Sequence, residues 1–230
     1  KRGKEKKITI FGKKYLNPIN FKVPGDPSSA AFFTALTLLN KNSFLKIKNV
    51  GLNPTRIGFY QLLKKHGAKI KFKNIKKSYN EIFGDIYVKS SVLKPIKASK
   101  EYYVKSTDEY PILFILAALT KGTSVFKGIK DLANKESNRI KEMQKVLNQI
   151  GIKSFTNKDG IKIFGGKVIK KNKTIIVPNL GDHRICMSTF VLALLTGIKT
   201  NIKSFETVYT SSPSFLKIMK VLGAKYEIKK

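Results

Sequence analysis

Cysteine is nearly missing from this chain, since Cys186 is the only one in 230 residues. One cysteine excludes an internal disulfide framework and favours a reducing compartment. No apolar run approaches the roughly 20 residues that span a bilayer. The Lys-rich start also lacks the apolar stretch of a signal peptide. Metal-ligand spacings, phosphate-binding glycine loops and nucleotide fingerprints do not occur either. We therefore expect no membrane segment and no metal site.

Acidic residues are scarce as well, with 14 Asp and Glu against 46 Lys and Arg and a formal net charge of +32. Such a charge is typical of proteins that bind nucleic acid or another anionic surface. Only four of the basic residues are Arg, however, and the Lys residues are scattered through every segment rather than gathered in one patch. We therefore favour a solvated Lys-rich surface over a nucleic-acid interface, and its field would attract anionic substrates.

The sequence does contain a unit that is repeated three times. The copies run from Asp26 to Gly67, from Asp108 to Gly151 and from Asp182 to Gly223, which are separations of 41, 43 and 41 residues. First helices are predicted over 30–39, 112–119 and 185–195, strands over 45–50, 124–129 and 200–205, and second helices over 59–67, 140–151 and 215–223. A short strand is predicted after the closing Gly, as over 68–72 and 224–228. The prediction is an α/β fold of β-α-β-α-β units whose first helices lie buried and parallel under sheets.

Local physical chemistry agrees with these units. Asp is a favoured N-cap, and Pro27 suits the first position of a helix. The first helices are apolar on nearly all sides, which indicates burial. The second helices are amphipathic, and in the middle unit the apolar stripe is Ile140, Met143, Val146, Leu147 and Ile150. The closing Gly residues stand where a helix end needs a left-handed residue.

The first residues differ from the repeats. The chain starts at Lys1 without an initiator Met, so we expect an excised or incomplete piece of a longer protein. Residues 8–11 favour a strand, and 15–21 read as a connector. We interpret residues 1–20 as the tail of a preceding N-terminal domain that is missing here. Residues 21–230 are interpreted as a C-terminal domain of three units.

Parallel buried helices would bring their N-termini together, and that end should attract anions. Polar motifs gather at the same helix starts, and two of the four Arg residues, Arg139 and Arg184, lie in them. Because a guanidinium grips a carboxylate or phosphate with two parallel hydrogen bonds, which Lys cannot replace, both are candidate anion ligands.

Other polar residues have simpler explanations. Asp26 and Asp182 are interpreted as N-caps, whereas for Asp108 a cap and a catalytic role stay equally open. Glu136 lies near a helix start, where a favourable interaction with the helix dipole explains an acidic residue equally well. Structural roles are also expected for three more residues: a loop anchor for Arg56, a packing neighbour for His183 and a small buried hydrophobe for Cys186.

Six motifs, in their order and spacing, resemble those of 5-enolpyruvylshikimate-3-phosphate synthases. They are Val23–Phe33, Asn53–Arg56, Asp108–Pro111, Lys135–Arg139, Gly181–Arg184 and Thr210–Pro213. The resemblance runs from about residue 20 to the C-terminus, and its specificity lies in the combination of motifs rather than in any one of them.

The resemblance implies an enzyme of the shikimate pathway to chorismate and the aromatic amino acids. It would transfer the enolpyruvyl group of phosphoenolpyruvate to the 5-hydroxyl of shikimate 3-phosphate and release phosphate, without a cofactor. Two domains of three units would close on the substrates, so this chain would form one wall of the cleft and be inactive alone. By motif position, Asp108 would be the base and would bind shikimate 3-phosphate with Lys135. Glu136 would exchange a proton with the methylene carbon, and Arg139 and Arg184 would bind phosphoenolpyruvate.

Two positions depart from the family pattern. Asp131 stands where many members have Asn, and Thr210 where some have Lys, so we assign no substrate contact to either. We expect a cytoplasmic enzyme that is monomeric at full length and has no membrane or nucleic-acid partner. Whether an organellar targeting segment precedes Lys1 stays open.

Two alternatives stay open. The UDP-N-acetylglucosamine enolpyruvyl transferase shares the expected fold and the transferred group, although the pairing of Lys-Glu-Ser-x-Arg with Asp-His-Arg favours the shikimate enzyme. A basic nucleic-acid-binding module is the alternative from another class, since RNA 3′-phosphate cyclases use related repeats.

Overall fold

The computed structural model describes residues 7–167, 169–170 and 172–229. The first six residues of the predicted tail lie outside this part of the chain. Residues 7–20 form no helix or strand and are exposed. The strand predicted over 8–11 is therefore wrong. A strand is stable only beside a hydrogen-bonded neighbour, and no strand in the described part of the chain pairs with this segment.

The first unit combines two helices with an antiparallel sheet. Its elements are α1 (Pro27–Leu39), β1 (Phe44–Gly51), α2 (Gly58–Lys65), β2 (Lys69–Ser78) and β3 (Glu81–Lys89). β3 lies between β1 and β2 and is antiparallel to both. Gly25 forms a parallel bridge with Val50, so the chain enters α1 beside the strand that follows this helix.

The second unit has the same plan with a larger sheet. Its elements are β4 (Lys97–Ala98), α3 (Lys100–Ser106), α4 (Tyr110–Leu119), β5 (Gly122–Lys127), α5 (Arg139–Gln149), β6 (Ser154–Thr156) and β7 (Gly160–Gly165). The strand order is β4-β5-β7-β6, in which only β4 and β5 are parallel. Two 3₁₀ turns, Thr107–Glu109 and Lys130–Asn134, precede α4 and α5 respectively.

The third unit is the smallest. Its elements are β8 (Ile175–Val177), α6 (His183–Thr196), β9 (Thr200–Ile202), α7 (Thr207–Ser211) and α8 (Phe215–Val221), with β8 and β9 parallel. The strand predicted over 224–228 is wrong, because no strand forms there. In the other two units a hairpin follows the closing Gly and each strand pairs with the other. Among the described residues, no strand pairs with this segment.

The first helices of the three units, α1, α4 and α6, contact one another and form the centre of the core. From Ile112 to Ala117 every residue of α4 is fully buried. The amphipathic stripe of α5 is also buried, apart from Ile140, which is partly exposed. The three closing Gly residues have φ of +95°, +82° and +94°, in the left-handed region where a side chain is strained. These features confirm the predicted three-unit α/β architecture.

Within the parts of the chain that the structure describes, none of the helices combines the length and the apolar character that crossing a bilayer requires.

Candidate active site

Asp182 organises the N-terminus of α6. Its Oδ1 accepts hydrogen bonds from the backbone N–H of Arg184 at 2.9 Å and of Ile185 at 3.4 Å, which confirms the predicted N-cap. Its Oδ2 accepts from Nε of Arg139 and from the hydroxyl of Ser137, both at 2.9 Å. This second role was missed by sequence reasoning, because nothing near residue 182 in the chain points to residue 139.

The Asp182 carboxylate is fully buried. Burial by itself would raise its pKa, but the hydrogen bond and positive charge of Arg139, with the Ser137 hydroxyl and the Arg184 amide, outweigh that effect. The pKa of Asp182 is consequently held below its usual range. The residue therefore supplies a fixed negative charge inside the domain.

Arg139 begins α5, and its side chain is 1% exposed. Three carboxylates surround it. Besides Asp182, Glu136 lies with Oε2 2.6 Å from Nη2, and Asp108 lies with Oδ1 3.6 Å from Nη1. A guanidinium removed from water needs such partners, because an unpaired buried charge is strongly destabilising. The cluster therefore holds Arg139 in place with one buried and two partly exposed carboxylates.

Arg184 lies in the first turn of α6 and meets the same cluster from the other side. Its Nη2 is 3.5 Å from Oδ2 of Asp108, at the outer limit of a hydrogen bond. Nε and Nη1 of Arg184 and Nη1 of Arg139 are buried without a hydrogen-bond partner among the described residues. Buried donors are rarely left unpaired. These donors can therefore bind an anion that brings several oxygens to this point.

Asp108 lies between the two arginines, and its side chain is 42% exposed. It does not cap α4. The N-cap of that helix is Glu109, and no side chain makes a capping hydrogen bond there. The cap alternative for Asp108 is thus wrong, and its carboxylate stays accessible to a substrate.

The other predicted residues lie around this cluster. Glu136 is 44% exposed and keeps its bond to Arg139. Lys135, next to it in the chain, is exposed and makes no ion pair within the described part of the chain. Asp131 is exposed, and the Thr210 hydroxyl donates to the carbonyl of Thr207 on its own helix. The structure thus brings together four of the five predicted site residues, with Lys135 at the edge.

Two residues near the cluster, His183 and Cys186, were predicted to have structural roles. Burial, and then the charge of Arg184, lower the pKa of His183, which favours a neutral imidazole at pH 7. Burial raises the pKa of the Cys186 thiol to about 12, so it stays an inert hydrophobe.

The N-terminus of α1 lies at the same end of the domain. Nη2 of Arg56 donates to Oδ1 of Asp26 at 3.0 Å and to the Ser28 hydroxyl at 3.2 Å, which confirms the predicted loop anchor. α1 also contacts the 3₁₀ turn that contains Asp108 and Glu109. Glu109 is 3% exposed, and sequence reasoning assigned it no role. The sequence did contain one indication of a role for Glu109, because the chain has few acidic residues and this one lies directly before an apolar helix.

Comparisons with known proteins agree with this geometry. The family described as EPSP synthase (3-phosphoshikimate 1-carboxyvinyltransferase) matches residues 1–219. A curated 3-phosphoshikimate 1-carboxyvinyltransferase of Petrotoga mobilis is 42% identical over 216 residues, which cover 94% of this chain and 50% of the relative. The chain spans about half the length of the curated relatives it matches.

Solved structures give the same result. A structure of EPSP synthase from Acinetobacter baumannii has a TM-score of 0.81 and 34% identity, covering 90% of this chain and 48% of that one. The enolpyruvyl transferase NikO from Streptomyces tendae has a TM-score of 0.61, covers 86% of this chain and 43% of that one, and is only 14% identical, so it shows a likeness of fold alone.

Proposed function

Because this chain belongs to the EPSP synthase (3-phosphoshikimate 1-carboxyvinyltransferase) family, we propose that its full-length protein transfers the enolpyruvyl group of phosphoenolpyruvate to the 5-hydroxyl of shikimate 3-phosphate. Phosphate is the other product, and the reaction serves aromatic amino-acid biosynthesis. One observation carries the proposal: two buried guanidiniums, some of whose donors have no partner among the described residues, flank an accessible carboxylate. Such a site binds an anion and places a base beside it.

The proposal treats this chain as one wall of the cleft. Residues 21–230 are the C-terminal domain, and residues 1–20 are the tail of an N-terminal domain that supplies the opposite wall. The support is that the chain spans about half of its curated relatives. That the full-length protein is a cytoplasmic monomer without a nucleic-acid partner stays a prediction.

In the proposed mechanism, phosphoenolpyruvate binds to Arg139 and Arg184 through its anionic groups. These groups take the donors that lack a partner within the described chain and replace Asp108 as the counter-charge. Asp108 then faces the 5-hydroxyl of shikimate 3-phosphate, which Lys135 also contacts, and accepts its proton as the oxygen bonds to the enolpyruvyl carbon.

Glu136 carries out the second proton transfer. The methylene carbon of phosphoenolpyruvate gains a proton when the new C–O bond forms and loses it again when the bond to phosphate breaks. Glu136 is suited to this exchange because its carboxyl is 44% exposed and is held 2.6 Å from Nη2 of Arg139, which binds the same substrate in this proposal.

The test is phosphate release by the full-length protein from phosphoenolpyruvate with either of two acceptors. We expect release with shikimate 3-phosphate and none with UDP-N-acetylglucosamine, whereas the 230-residue chain should give none with either. Release with the nucleotide sugar alone would favour the other enolpyruvyl transferase. Turnover by the 230-residue chain near that of the full-length protein would contradict the proposed missing wall.

Replacing either arginine by Lys should weaken the use of phosphoenolpyruvate. Arg139→Lys and Arg184→Lys keep the charge but lose the planar fork. Hydrogen bonds to charged groups contribute about 1.5–3 kcal/mol each, so kcat/KM for phosphoenolpyruvate should fall at least about tenfold. The matched control is Arg56→Lys, an arginine 53% exposed that anchors a loop, and it should keep its kinetics. Unchanged kinetics in both site variants would make these arginines structural.

A further inference from the structure

Glu109 is a buried acid that the proposed mechanism does not use, and its neighbour in the chain, Asp108, lies between the two arginines. It follows Asp108 directly and is 3% exposed. Among the described residues, it takes part in none of the ion pairs within 4.0 Å. A carboxylate that has lost its water without gaining a paired cation is held at a high free energy. Small changes in the surrounding charge therefore decide whether Glu109 carries a proton.

The surroundings of Glu109 contain both signs of charge. Burial, the largest effect, raises its pKa to about 7, while the Ser28 hydroxyl, Arg184 and Arg56 lower it and Asp108 raises it. Ser28 accepts a hydrogen bond from Arg56, so its own proton is free to point to Glu109. The charged and titratable groups around it are Arg56 before α2, Tyr60 on α2, Asp108, Tyr110 on α4 and Arg184 on α6.

We propose that Glu109 takes up a proton from solvent when an anion binds to Arg139 and Arg184. This rests on the proposed function, because it assumes the anion site. A bound anion offsets the charge of Arg184 that favours the ionised form of Glu109, and it adds a repulsion of its own. The ligand therefore binds together with a proton on the Glu109 carboxylate.

The sign of the pH dependence follows from linkage. An anion that raises the proton affinity of Glu109 must itself bind more tightly when Glu109 is protonated. The affinity for the anion is therefore highest at a pH below the titration midpoint of Glu109 in the free site. It falls as the pH rises through that midpoint, and it becomes constant once Glu109 is ionised both with and without the anion.

The experiment measures sulfate binding to the 230-residue chain between pH 6 and pH 8. Sulfate keeps its charge over this range, so the ligand itself contributes no titration. Only four arginines occur in the chain, which makes their side-chain Nε–H signals easy to follow by NMR. We expect sulfate affinity to fall about threefold or more from pH 6 to pH 8, as a charge interaction through partly screened protein predicts. Glu109→Gln should abolish most of this fall and bind more tightly than the unmodified chain at pH 8.

Glu101→Gln, the same change on the exposed side of α3, is the control and should keep the pH dependence. Because Glu109→Gln is buried and can impair folding, the ¹³C carboxyl signal of Glu109 in the unmodified chain gives a second measurement. Its titration midpoint should rise when sulfate is added.

The outcomes separate the two proposals. A pH dependence that persists in Glu109→Gln, or a midpoint that sulfate does not move, overturns the role of Glu109 and directs attention to His183. If sulfate shifts the signals of neither Arg139 nor Arg184 at any pH, the anion site itself is absent and the proposed function loses its main support.

Discussion

Asp182→Ala is expected to lower the free energy of unfolding by about 3–5 kcal/mol, the usual effect of removing one partner of a buried ion pair. The change leaves Arg139, 1% exposed, without its closest buried partner. It also removes the side-chain cap of α6, which alone is worth about 0.5–2 kcal/mol. Urea unfolding of the unmodified and altered chains gives the difference directly.

The chain contains a matched control for this experiment. Asp26→Ala removes the same kind of N-cap from α1 and also breaks an ion pair with an arginine, but there the two side chains are 43% and 53% exposed. Because exposed ion pairs contribute about 0–1 kcal/mol, its effect should be close to that of the cap alone. Equal losses in the two variants would show that burial of the Arg139–Asp182 pair is irrelevant to stability.

The second large effect is expected on turnover. Asp108→Asn in the full-length protein should lower kcat by about 10²-fold or more, because Asn cannot accept the proton of the 5-hydroxyl and general base catalysis contributes about 10²–10⁴-fold. Stability should change by less than about 1 kcal/mol, since Asp108 caps no helix and its ion pairs are partly exposed. A thermal melt and a steady-state assay on the same sample measure both quantities.

The two readouts distinguish the possible roles of Asp108. A catalytic base gives a slow enzyme with a nearly unchanged melt. A variant that melts early while retaining full turnover would make Asp108 a structural residue and remove the base from the proposed mechanism. Glu101→Gln, outside the cluster, should change neither quantity.

Much of the architecture was already determined by the sequence alone, because it depends on neighbours along the chain. The Asp26 and Asp182 caps, the buried first helices and the closing Gly residues follow from rules that act within one or two helical turns. The two strands predicted wrongly, over 8–11 and 224–228, could form only beside a hydrogen-bonded neighbour, and the local pattern does not show whether one is present. The importance of Arg139 and Arg184 was also predictable, since a chain with so few arginines has them in motifs at helix starts.

The internal geometry of the site was decided only by the tertiary structure. Asp182 meets Arg139 across 43 positions, and Arg184 meets Asp108 across 76. These pairs form because α4, α5 and α6 pack against one another, and no local rule states which charges that packing will remove from water. Burial gives Asp182 its second role, as the partner of Arg139. Burial also places Glu109, which is unremarkable in the sequence, at a position where the charge of Glu109 depends on what the arginines bind.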